Sequence, residues 1–181
     1  MAHSARLVHP ILSEALGNSR SPYFITCEIV LRLYIRNWYN NLTLSRLTAF
    51  VAKSFRQAST FIHVEESVII DALQWLADQQ ASNGSFPEVG KIYHTEMQGG
   101  STYELALSAY TLIAFLENSK TTSQFRNTIT RSIEYIVRNL YRITDDSYAL
   151  SLCTYALHLA EHPEREPAFN ALESNAQSNG E

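Results

Sequence analysis

The chain has 181 residues, 45% of them hydrophobic and 18% charged, which suits one ordinary globular domain or two very small ones. Only 6 Gly and 5 Pro argue against collagen-like, low-complexity and turn-rich all-β chains. Lys and Arg total 14 against 18 Asp and Glu, a net charge of −4 that argues against a nucleic-acid binder.

The charge is uneven, +5 over residues 1–57 and −9 over 58–181. The basic part is made of dispersed single arginines (Arg32, Arg36, Arg46, Arg56), which read as a solvated surface. Cys27 and Cys153 permit one disulfide at most and do not fix a redox compartment. The most apolar N-terminal run, 23–35, is broken by Glu28 and Arg32, so this chain shows no signal peptide. No uncharged apolar stretch is long enough for membrane insertion.

Residues 1–43, including the aromatic-rich SRSPYFITCEIVLRLYIRNWYN, join no pattern and stay unassigned. From residue 44 the chain reads as helix after helix. Residues 44–57 form the first, with Leu47 and Phe50 among its apolar positions. In 65–80, Val68, Ile69, Ala72, Leu73, Trp75 and Leu76 share one face and acids the other, an amphipathic helix stopped by Ser82-Asn83-Gly84-Ser85 and Pro87. Residues 102–117 are apolar almost all round, which requires burial on every side. Residues 124–141 return to a single stripe, Ile129, Ile133, Ile136, Val137 and Leu140, with Arg131, Glu134 and Arg138 facing away. Residues 147–160 are again apolar all round, and 166–177 start one more outer helix before the polar, frayed tail 177–181.

The two-sided helices also resemble one another. LALSAYTL at 105–112 aligns with LSLCTYAL at 150–157, and Leu is followed three residues later by an aromatic in Leu47/Phe50, Leu107/Tyr110 and Leu152/Tyr155. Inner helices apolar all round, alternating with one-sided outer helices, describe an α/α toroid or a curved solenoid of helical hairpins; an ordinary helical bundle is the plainer alternative. Three inner helices are about half of what a closed ring of six hairpins needs, so the expected fold is an all-α, partial α/α toroid over residues 44–176.

WLADQQASNGSFPEVGKIYHTEMQGG, residues 75–100, resembles the thioester-containing domain of the α2-macroglobulin and complement superfamily, insect thioester-containing proteins in particular. The run from Pro-Glu-Val-Gly to His-x-x-Met-Gln-Gly-Gly is its most specific part, and the likeness extends over about residues 45–176. The resemblance implies an α/α toroid within a large secreted protein of innate immunity, endopeptidase inhibition or surface opsonisation. Its partners would be proteases or microbial surfaces and its location extracellular. It also implies a buried thioester between Cys and Gln of a Gly-Cys-Gly-Glu-Gln motif. The histidine matching His94 attacks that thioester to form an acyl-imidazole, and the freed thiolate acts as base for a hydroxyl acceptor. A neutral imidazole is both a good nucleophile near pH 7 and a good leaving group. Branches with Asn at that position favour amines, so His94 implies ester formation.

Here the chain departs from the family. Gly-Cys-Gly-Glu-Gln does not occur, and neither Cys27 nor Cys153 has Gln three residues on. The expectation is a fragment that carries the inherited position His94, forms no thioester itself and is not an enzyme. His94 is expected on the rim of the ring, after the loop opened by Gly84 and Pro87 and before Gly99-Gly100, at least partly exposed.

No cofactor or metal site is expected, since no His-x-x-x-His or Cys-x-x-Cys spacing exists. Asp145-Asp146 reads as helix-capping charge. Two sequons, at Asn41 and Asn83, are glycosylation candidates in a secreted chain, Asn83 in an exposed turn. The alternative functions are a non-catalytic helical interaction module and an isoprenoid-type toroid enzyme.

Overall fold

The structure, a computed structural model, describes residues 45–61, 63–89, 102–118 and 123–178. Among the described residues six α-helices follow one another: α1 Ser45–Ala58, α2 Glu66–Asp78, α3 Tyr103–Glu117, α4 Arg126–Asn139, α5 Ser147–Leu159 and α6 Arg165–Ser178. A 3-10 turn, Leu140–Ile143, follows α4, and no strand occurs among the described residues. The expectation of alternating helices without sheet holds over the described part of 44–162.

The helices form three hairpins. Helix α3 packs against α1 on one side, α5 on the other and α4 behind; α2 backs α1 and α6 backs α5. Helices α1, α3 and α5 are therefore the inner row and α2, α4 and α6 the outer row. The sequence pattern explains the division. In α3, Leu105 through Ala109 and Thr111 through Phe115 are all buried, as a helix covered on every side requires. In α2 the buried residues Val68, Ile69, Ala72, Leu73 and Leu76 recur at helical spacing on one face. Each such Leu or Ile removed from water contributes about 1.5–3 kcal/mol.

Helix α1 is apolar on more sides than it buries. Ala49 and Ala52 are fully buried, but Leu47 is 39% and Phe50 53% exposed. Helix α3 covers one flank of α1 and α2 its back, while the side that carries Leu47 and Phe50 stays partly open. The repeated Leu-aromatic pairs lie along this inner row. Lys53 Nζ lies 5.8 Å from the Tyr110 ring centre and 5.9 Å from that of Tyr155, while pairing with Glu117 at 3.2 Å. The outer stripe of α4 also ends differently from its expected run to residue 141. The chain tightens into the 3-10 turn, which buries Ile143 while Tyr141 is exposed.

Two devices lock the hairpins together. Phe86, in the loop after α2, stacks on Phe115 of α3 at 5.8 Å, and Phe115 meets Phe125 edge-on at 5.2 Å. The turn before Phe86 lies against α4: Arg131 Nη2 donates to Ala81 O (2.6 Å), Arg138 Nη2 to Asn83 O (3.0 Å) and Gln80 Nε2 to Thr128 O (2.9 Å). The two arginines face away from the core, as the pattern indicates, and there they hold this turn. Gly84, with φ +94°, allows the close approach, since its Cα side meets the Arg131 carbonyl directly.

Candidate functional site

The segment 90–101, which contains His94, lies outside the described residues, as do Cys27 and Asn41. The structure describes the residues on either side of it, Val89 and Thr102, and both lie on one rim. On the departing side, a single buried hydroxyl brackets Glu88: Ser45 Oγ donates to Pro87 O (2.9 Å) and accepts from Val89 N (3.0 Å). One residue earlier, Phe86 N donates to Ser108 Oγ of α3 (2.9 Å), and that hydroxyl in turn donates to Glu104 O (2.7 Å). The loop 85–89 is thereby wedged between the first turns of α1 and α3.

Glu88 is the centre of this wedge. Its side chain is 8% exposed and meets three donors: the Arg46 backbone N–H (3.3 Å), the Arg46 guanidinium (Nε at 3.7 Å) and the Tyr103 hydroxyl. A buried carboxylate needs such partners, because stripping its water without replacement costs several kcal/mol. The Arg46 guanidinium also lies over the Tyr103 ring, 5.4 Å from its centre. Burial, and then the hydrogen bond and charge of Glu88, push the Tyr103 phenol up to about 12, against a smaller opposing pull from Arg46. Tyr103 therefore keeps its proton at neutral pH and donates it to Glu88.

On the returning side, Thr102 precedes α3 and its hydroxyl donates to Asp146, the N-cap of α5. The other Asp146 oxygen accepts from Ala149 N at 3.0 Å. These bonds, the Ala149 N–H first and Thr102 second, hold the Asp146 carboxyl below its ordinary value. Val89 thus lies between the starts of α1 and α3, and Thr102 between those of α3 and α5. Three helix N-termini, each carrying a partial positive charge, flank the same edge.

The remaining sequence candidates fall in different places. Cys153 is fully buried in α5, and burial, with Asp146 nearby, pushes its thiol up to about 12. Such a sulfur packs as a small hydrophobe and is a poor nucleophile. Asp145 is exposed beside the Asp146 cap. Asn83 is exposed in the turn after α2, on the outer edge of this rim. Among the described residues no group of three or more His, Cys, Asp or Glu side chains is arranged to hold a metal ion, and no helix is long and apolar enough to cross a membrane. Sequence pattern does not single out the cluster of Ser45, Arg46, Glu88 and Tyr103. Glu88 stood only as part of the Pro-Glu-Val-Gly run, and nothing in the spacing links it to Arg46 or Tyr103.

A family model described as the A-macroglobulin TED domain matches residues 37–181. Thioester-containing protein 1 allele S3 of Anopheles gambiae is 38% identical over 127 residues, 70% of this chain and 9% of that protein. Allele R1 is 37% identical over the same length. Ovostatin of Gallus gallus is 39% identical over 115 residues, 63% of this chain and 8% of that protein. The chain spans less than a tenth of the length of these curated relatives.

Proposed function

The chain belongs to the A-macroglobulin TED domain family, and from that premise we propose that residues 44–176 are part of the toroid of a complement-like or macroglobulin-like thioester protein. In this reading it acts outside the cell in innate immunity or restraint of endopeptidases, with proteases or microbial surfaces as its partners. The rim at the start of α1, α3 and α5 is its working edge, and His94 is the acyl-transfer position. The observation that carries this is that the residues before and after 90–101 are both held at this edge: Pro87 to Val89 by Ser45, Arg46 and Tyr103, and Thr102 by Asp146.

The chemistry fits such an edge. A neutral imidazole attacks the thioester carbonyl, the thiolate leaves, and a hydroxyl acceptor then takes the acyl group from the imidazole. Negative charge develops on the carbonyl oxygen and on sulfur, and nearby helix N-termini favour both. These 181 residues hold no Gly-Cys-Gly-Glu-Gln run, so by themselves they transfer no acyl group and the chain is no enzyme. Cys153, buried and protonated, offers no substitute thiol.

The test is a chimera in which residues 45–178 replace the matching part of one of the mosquito relatives. After activation, labelled glycerol and methylamine compete for the acyl group. His94→Asn is expected to move the products from ester toward amide. Unchanged proportions of the two would overturn the assignment and leave His94 an ordinary loop histidine.

A further inference from the structure

We propose that Asn83 is an N-glycosylation site on the outer edge of the rim, with its Nδ2 as the acceptor atom; this rests on the secreted reading given above. Asn83 begins the sequon Asn83-Gly84-Ser85 and is exposed in the turn between α2 and the loop 85–89. Its two amide atoms have different roles. Oδ1 accepts from Ser85 N (3.0 Å) and from Ser85 Oγ (2.8 Å), and Ser85 itself is 1% exposed. The carbonyl side of the amide is thus committed to the folded turn, while Nδ2 donates to no protein acceptor among the described residues.

The rest of the turn is held by groups that a sugar would leave untouched. Gly84 N donates to Ala81 O and Ala81 N to Ser85 O, both at 3.0 Å. Arg138 takes the Asn83 carbonyl at 3.0 Å and Arg131 that of Ala81 at 2.6 Å. A substituent on Nδ2 replaces one of its hydrogens and breaks none of these bonds. The fold therefore accepts a glycan at this atom at no cost in its own hydrogen bonds.

The transfer balances with a lipid-linked oligosaccharide diphosphate as donor, acted on by a luminal transferase. The bond formed joins Nδ2 to the sugar C1. The bond broken is C1–O to the diphosphate, which departs with its lipid, and the Nδ2 proton passes to a base of the transferase. The sequon is read on the unfolded chain as it emerges, so the later burial of Ser85 is no obstacle.

The test expresses the full chain behind an added, cleavable secretion signal in insect cells. Both the medium and the membrane-enclosed fraction are collected, and signal cleavage reports arrival in the lumen. The intact peptide containing Asn83 is read by mass, because an Asn-Gly pair also deamidates on its own and would confuse an enzymatic deglycosylation. We expect that peptide to carry the mass of an N-linked glycan, to lose it in Asn83→Gln and to keep it in Asn41→Gln. An unmodified Asn83 peptide in signal-cleaved chain would overturn the site. The added signal separates this result from the secreted reading. An empty Asn83 leaves that reading standing, whereas native protein found only in the cytosol would refute the reading and leave the acceptor competence of Asn83 intact.

Discussion

Replacing Gly84 by alanine probes how the turn before the loop 85–89 is held on α4. A Cβ at Gly84 would lie 2.3 Å from the carbonyl oxygen of Arg131 and 2.9 Å from its carbonyl carbon, at φ +94°. Both atoms are helix backbone and cannot swing aside as a side-chain tip could. Adopting a left-handed conformation costs a residue with Cβ about 1–2 kcal/mol. Relieving the clash means lifting the turn off α4, which breaks the part-buried bonds from Arg131 to Ala81 and from Gln80 to Thr128. Each contributes about 1 kcal/mol. Alanine restricts the unfolded chain and returns about 0.4–1 kcal/mol. The net loss is about 3 kcal/mol, a large share of the roughly 5–15 kcal/mol that holds a domain together. It should appear as a fall of about 6–12 °C in the thermal midpoint, or as a lower urea midpoint followed by far-UV circular dichroism. A double-mutant cycle sharpens the test. Once Gly84→Ala has displaced the turn, Arg131→Ala has no bond to Ala81 left to break, so the two changes should be less than additive by about 1 kcal/mol. A Gly84→Ala chain within about 0.5 kcal/mol of the parent, or strictly additive changes, would refute the reasoning.

Three further outcomes follow from the rim and the core. The Tyr103 phenol holds its proton more tightly folded than unfolded, so its contribution is complete below its ordinary value of 10.0 and is lost as pH rises through about 12. In tyrosinate absorbance, read as the difference from Tyr103→Phe, Glu88→Gln should lower that midpoint; an unmoved midpoint would remove Glu88 as a cause. Asp146 shows the opposite sign: its contribution is present above its ordinary value of 3.8 and is lost as pH falls through the lower folded value. Asp146→Ala should cost about 1–2 kcal/mol in urea unfolding at neutral pH, as loss of a cap does, and a loss below about 0.5 kcal/mol would contradict the cap. Cys153 should resist a thiol reagent in native chain and react fully in denaturant, judged by mass of the Cys153 peptide; rapid native labelling would mean that α5 is open to solvent.

Much of this protein is legible in its residues because helix periodicity is a local property. The one-sided stripe Val68, Ile69, Ala72, Leu73 and Leu76 already specifies an outer helix, and the all-round apolar run of α3 already specifies an inner one. Asp146 as a cap and Gly84 as a turn are equally local, each set by the backbone within a few positions. The wedge around Glu88 is different. Arg46 and Tyr103 lie far from it along the chain, and only the side-by-side packing of α1 and α3 brings both to one carboxylate. Tertiary structure likewise decided that Leu47 and Phe50 lie half open while Leu107, at the same place in the repeat, is buried. The repeat assigns them the same character, but burial depends on which neighbouring helix covers the face, and among the described helices α3 is flanked by both α1 and α5 while α1 packs chiefly on α3 and α2.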